Sequence, residues 1–136
     1  MRCVNIDWLE VYCLESSNRY PCDANYFRTL GYFVVEREYG TRQYNQMFTI
    51  EDDKGNAWIE VRRDPPSGYS KFSGLQRESC HLRLVNRACY EDDCVQKLRD
   101  FLLKHDYNFQ RIYRIDICYD FEKFDTGDLP AKFAKR

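Results

Sequence analysis

A chain of 136 residues has the length of one domain: enough for a single hydrophobic core, short for two. Hydrophobic residues make up 43% and charged residues 32%, and 11 Tyr, 9 Phe and 2 Trp bring the aromatic share to 16%, which excludes a disordered chain. The formal charge of −1 excludes a uniformly cationic coat but leaves room for a basic face balanced by acids elsewhere, and no window approaches the ~18 apolar residues of a membrane span.

Seven cysteines (Cys3, Cys13, Cys22, Cys80, Cys89, Cys94 and Cys118) are an odd number and contain no C-x-x-C pair. With no apolar signal segment at the start, the expectation is free thiols in a reducing cytoplasm, a zinc site being the alternative.

Cys3–Glu15, rich in Val, Ile, Trp and Tyr with apolar residues at both parities, predicts a central strand covered on both faces. Asp23 as N-cap and Gly31 as C-terminal stop frame a short helix in "CDANYFRTLG". "YFVVERE", "RQYNQMFTI" and "AWIEVRR" follow as an antiparallel meander, the last two joined by the turn "EDDKGN". Asp64–Ser79 concentrates Pro, Gly and Ser and reads as a long surface loop.

"CHLRLVN" resumes strand alternation, with Leu82 and Leu84 toward the core and His81 and Arg83 on the other side. Glu91–Lys104 predicts the main helix, with Val95, Leu98, Phe101 and Leu102 on its apolar stripe, acids in its first turn and Lys104 in its last. In "RIYRIDICYDF", Arg111–Phe121, odd-numbered residues from Tyr113 to Phe121 are expected in the core, and Arg114, Asp116, Cys118 and Asp120 on the opposite face. The segment after it carries a turn signal at Thr126-Gly127-Asp128 and a helix start at Pro130 that stops at the chain end, which suggests truncation. The whole predicts one α+β domain spanning residues 1–136, a largely antiparallel sheet of five to six strands with helices on one face.

Asp116 and Asp120 on one strand face admit two readings: a solvated lattice of acids and arginines, or carboxylates for a metal. A straight strand sets their Cα atoms roughly 13 Å apart, so one shared ion needs a bend, a bulge or a bridging water. His81 is either a hydrogen-bonding group or a ligand that approaches Asp116 if the strands lie close. Glu60 beside Arg62 and Arg63 is either an ion-pair lattice or a further ligand flanked by phosphate-binding groups. Asp7 and Glu10, acids in a strand that otherwise looks buried, need partners and could join either arrangement. No P-loop, dinucleotide fingerprint or G-x-S-x-G elbow is present.

"NIDWLEVYCLES", "EYGTRQYNQMFTIEDDKGNAWIEVRRDP", "HLRLVNRACY" and above all "RIYRIDICYDFEKFDTGDLPAKF" resemble bacterial phage and plasmid replication initiation factors of the Rep-trans, rolling-circle type. The R-x-D-x-x-x-D element, Arg114, Asp116 and Asp120, is the most specific piece, and the similarity runs over nearly the whole chain in the order of the family's N-terminal part. The resemblance implies a HUH-endonuclease-like nicking domain that binds Mg²⁺ or Mn²⁺ and cuts one strand of single-stranded or hairpin origin DNA. It implies Asp116, Asp120, His81 and Glu60 as metal ligands or their supports, and Arg62, Arg63, Arg83, Arg87 and Arg114 as the DNA-binding set. Two departures stand out: His81-Leu82-Arg83 matches only half of a His-hydrophobe-His pair, and the nucleophilic tyrosine is expected downstream of Arg136. Tyr113 and Tyr119, expected on the apolar face, are not assigned that role. The expectation is a DNA replication initiator lacking its nucleophile in this span. The alternatives are a DNA-binding module without nicking, or a small interaction protein on the same scaffold. No membrane partner is expected, and the oligomeric state is left open.

Overall fold

The computed structural model describes residues 2–16, 21–67 and 76–121, with residues 2, 3, 120 and 121 described by their backbone alone. Six strands form one antiparallel sheet: β1 (Arg2–Leu14), β2 (Val34–Glu36), β3 (Gln46–Glu51), β4 (Ala57–Arg63), β5 (Ser79–Leu84) and β6 (Asn108–Phe121). Their spatial order is β2-β3-β4-β5-β1-β6, so the first strand is central and the last lies at an edge. Between strands lie α1 (Ala24–Thr29), α2 (Asn86–Cys89) and α3 (Cys94–Lys104).

The chain punctuates these elements by local chemistry. The Asp23 carboxylate accepts the Tyr26 N–H at 2.8 Å and starts α1, and Gly31 ends it at φ +92°, where a residue without Cβ is unstrained. In the β3–β4 turn the Asp52 side chain accepts the N–H groups of Lys54 at 2.9 Å and Asn56 at 3.0 Å, and Gly55 supplies the positive φ of +78°.

Alternation then sorts the sheet into two faces. Leu9, Val11 and Cys13 of β1, Phe48 and Ile50 of β3, Ile59 and Val61 of β4, and Cys80, Leu82 and Leu84 of β5 share one buried cluster with Phe27 of α1, Ala88 of α2 and Leu98, Phe101 and Leu102 of α3. α1, α2 and α3 therefore feed the same core, and the described residues of the other sheet face are mostly polar and aromatic.

Three expectations are corrected. The acids expected in the first turn of the main helix precede it: Glu91, Asp92 and Asp93 lie in the link between α2, which ends at Cys89, and α3, which starts at Cys94, and Asp93 makes no side-chain cap bond. Val95 is 54% exposed, since the buried stripe of α3 runs through Cys94, Leu98, Phe101 and Leu102 instead. The odd-numbered residues of the last strand are not core: Tyr113, Ile115, Ile117 and Tyr119 are 44–66% exposed, because β6 is an edge strand and pairs on one side only. Residues 68–75 of the expected loop and the turn and helix start after Phe121 lie outside the described residues.

Among the described residues no helix is long and apolar enough to cross a membrane. Cys13, Cys80, Cys89 and Cys94 are buried free thiols. Burial pushes the Cys13 thiol up to about 12 and Cys89 to about 11.

Candidate functional site

The sheet face away from α1, α2 and α3 carries charged residues in register. Glu60 of β4, Arg83 of β5, Glu10 of β1 and Arg114 of β6 lie directly opposite one another across four strands. The next row, two residues along, is Arg62, His81, Tyr12 and Arg111. Across the row Arg83 and Glu60 come within 4.0 Å, whereas Glu10 pairs with His81 of the next row and Arg114 with Asp116 of its own strand.

The centre of the face is nearly closed to water. Glu10 is 4%, Glu60 8% and His81 8% exposed. His81 Nδ1 lies 2.9 Å from the Glu10 carboxylate, and the Trp8 indole N–H donates to the other Glu10 oxygen at 3.4 Å. Burial disfavours the Glu10 anion, but the hydrogen bond and charge of His81, the charge of Arg62 and the Trp8 donor outweigh it and hold the carboxyl below its ordinary range. Around the His81 ring stand Tyr113, Tyr12 and Tyr44, with centroids 4.4, 5.4 and 5.5 Å away.

Trp8 is the organising aromatic. The guanidinium carbon of Arg83, from the strand on one side, lies 3.4 Å from its ring centroid, and that of Arg114, from the strand on the other, lies 4.1 Å away. Arg83 also donates to Asn86 at 2.7 Å and stands 4.0 Å from Glu60, while its buried Nε has no hydrogen-bond partner. An unmatched guanidinium donor in a desolvated position favours an incoming acceptor.

The residues expected to bind metal are divided among partners. Glu60 accepts two bonds from Arg62, at 2.8 and 3.1 Å. Arg114 grips both oxygens of Asp116, at 2.7 and 3.2 Å, which lowers the Asp116 carboxyl below its ordinary range. His81 stands opposite Tyr12 and Asp116 opposite Trp8, four residues apart on β1. That leaves their Cα atoms roughly 13 Å apart along the strands and about 10 Å across them. The fold places β1 between their two strands, as the close approach required, yet does not bring the two residues together. The Asp120 side chain lies outside the described residues. Among the described residues no group of three or more His, Cys, Asp or Glu meets to hold an ion.

Of the arginines expected to bind DNA, Arg62, Arg83 and Arg114 share this face. Arg63 does not: it is 8% exposed, opposite the core residue Cys80, and its guanidinium is engaged by Glu15 at 3.0 and 3.1 Å and by Gln46 at 2.6 Å. Arg87 sits in α2 on the helical side, lining a cleft with Asp52, Asp53 and Glu91.

Several members of the face were not singled out in advance. Trp8, Tyr12 and Arg111, the last with its guanidinium carbon 4.6 Å from the Tyr12 ring centroid, belong to it, while Glu10, already expected to need a partner, is its most buried acid. The period-two spacing of Trp8, Glu10 and Tyr12 was the available signal. Tyr113 is a correction: it is not on the apolar face but against His81, because the pairing of β1 and β6 slips between Glu10 and Val11 and the extra residue changes the parity of β6. Comparisons of the chain with protein-family models, with curated proteins and with solved structures return no match.

Proposed function

We propose that this chain handles DNA as part of a rolling-circle type of replication initiator, with single-stranded or hairpin origin DNA lying across the sheet face away from α1, α2 and α3. The observation that carries the reading is Arg83, whose buried Nε lacks a partner while its guanidinium carbon lies over the Trp8 ring, 3.4 Å from the centroid. A pre-oriented guanidinium with an unmatched donor suits a phosphate oxygen, and Arg62, Arg114 and Arg111 extend the positive positions along the same face. Tyr113, 53% exposed beside His81, suits a base of a single strand, which stacks without regard to sequence. A HUH-endonuclease-like assignment of the sheet belongs to this proposal, and supporting it is the packing of α1, α2 and α3 against one face, which leaves the arginines and aromatic residues of the central strands on the other.

Nicking would add a divalent cation. Glu10 beside His81 is the closest pair of donors on the face, with Glu60 in the same four-strand row, and the remaining ligands would come from Asp120, water or the DNA phosphate itself. Bound there, Mg²⁺ or Mn²⁺ would neutralise charge that builds on the phosphate oxygens. The protein groups would orient the backbone: Arg83 and Arg62 by hydrogen bonds, Arg114 through its clamp on Asp116.

A second reading, DNA binding without nicking, is favoured by the matching of each acid to a nitrogen-bearing partner: Glu10 to His81, Glu60 to Arg62 and Asp116 to Arg114. One experiment separates the readings: a labelled single-stranded oligonucleotide is incubated with the chain, with and without Mn²⁺, while the melting temperature is followed. Cleavage, or Mn²⁺-dependent stabilisation, supports a metal site. Salt-sensitive binding indifferent to Mn²⁺ supports the second reading. Neither binding nor a metal response leaves only an interaction scaffold.

A further inference from the structure

The two edges of the sheet differ greatly. At one end β2 is three residues long, which leaves little to pair with; at the other, β6 runs for 14 residues and no described strand pairs with its outer side. A long open edge presents a row of unpaired N–H and C=O groups, and such edges are ordinarily shortened, charged along their length or covered. Beside its charged residues this one carries Phe109, Ile112, Tyr113, Ile115, Ile117 and Tyr119, each 44–66% exposed. Exposed apolar side chains concentrated on one strand mark an interaction surface.

Its charges say which partner fits. Arg111 and Arg114 occupy the first half of β6, and Asp116 and Asp120 the second. Run antiparallel to itself, the strand brings its positive half against its negative half. In a register centred on Ile115, Ile115 faces its own copy and each Arg114 lies opposite the partner's Asp116. The Arg114–Asp116 bridge within one chain, at 2.7 Å with the two side chains 51% and 41% exposed, would then be half of a four-charge cluster about a two-fold axis. We infer that β6 is a homodimerisation edge, pairing antiparallel with β6 of a second copy to make one continuous twelve-stranded sheet. Strand addition supplies main-chain hydrogen bonds, and the charge order sets direction and register. The inference shares Arg111, Arg114 and Asp116 with the DNA reading, but it is read out as self-association in the absence of DNA, so the two fail separately.

The test is analytical ultracentrifugation of the whole chain over a range of concentrations, with circular dichroism to confirm folding of each variant. The wild type is expected to reach twice the 16.5 kDa chain mass. Asp116→Arg sets two guanidinium groups opposite each other at both ends of the register and should weaken dimerisation by about tenfold or more. Adding Arg114→Asp to it restores opposite charges and should recover most of the loss. Hydrogen exchange supplies a second readout: β6 amides should gain protection as concentration rises. A chain that stays monomeric at every concentration, or a single and a double variant that dimerise equally, would overturn the inference.

Discussion

Glu10 and His81, on the two neighbouring strands at the heart of the sheet, lie 2.9 Å apart with side chains only 5% and 9% exposed. The Glu10 carboxyl is held below its ordinary value, with burial opposing and His81, Arg62 and Trp8 prevailing. A depressed folded value means the unfolded chain binds the proton first. The contribution of Glu10 to stability is thus complete above its unfolded value, about 4.3, and is lost as pH falls through the lower folded value. Denaturant titrations from pH 7 to pH 3 should show that acid loss. Glu10→Gln should flatten it and, by leaving His81 without its anion, lower stability at pH 7 by about 1–3 kcal/mol.

Trp8 between Arg83 and Arg114 predicts an aromatic requirement. Trp8→Phe keeps a ring face for both guanidinium groups and should lower stability only slightly. Trp8→Ala removes the face and the N–H donor to Glu10 and should cost about 1–2 kcal/mol in urea unfolding. Equal effects of the two changes would argue against the stacking.

The buried thiols predict a silent native state. Cys13 and Cys80 are 0% exposed and face each other across β1 and β5, and burial raises both, Cys13 to about 12. Since the thiolate is the reactive form, both should ignore an aromatic disulfide reagent at pH 8 until denaturant is added. Mass spectrometry after labelling identifies which cysteines react. Rapid labelling of Cys13 in the folded chain would contradict their placement.

Phe27 is the keystone of the helical layer. It is 0% exposed and stacks on Phe101 with centroids 5.6 Å apart, beside the His105 ring at 5.0 Å. Phe27→Ala should destabilise by about 3–5 kcal/mol through lost burial and the cavity left behind. Chemical denaturation measures it, and a loss below about 1 kcal/mol would mean the site collapses or is not core.

The strands and helices were largely legible because each carries its own periodicity, and Asp23, Gly31 and the Asp52–Asn56 turn mark their ends. Strand order was harder. Nothing in the alternation of Tyr113 to Tyr119 distinguishes an edge strand from a central one, so exposed residues read as core. The role of Tyr113 was hidden for a different reason: one extra residue in the β1–β6 pairing reverses parity, and register is a property of two strands together. Arg114 and Asp116, two apart on one strand, were legible as a pair from spacing, whereas the partner of His81 required knowing that β1 lies beside β5. Arg63 illustrates the converse, since its charge suggested phosphate while its position opposite Cys80 commits it to Glu15.

The most direct test of the DNA reading is fluorescence anisotropy of a labelled single-stranded oligonucleotide, titrated with wild type and with Arg83→Ala across a series of salt concentrations. The account predicts that the logarithm of the affinity falls linearly with the logarithm of salt, and that Arg83→Ala weakens binding and reduces the slope by about one. No binding at low salt, or an Arg83→Ala variant with unchanged affinity and slope, would contradict it.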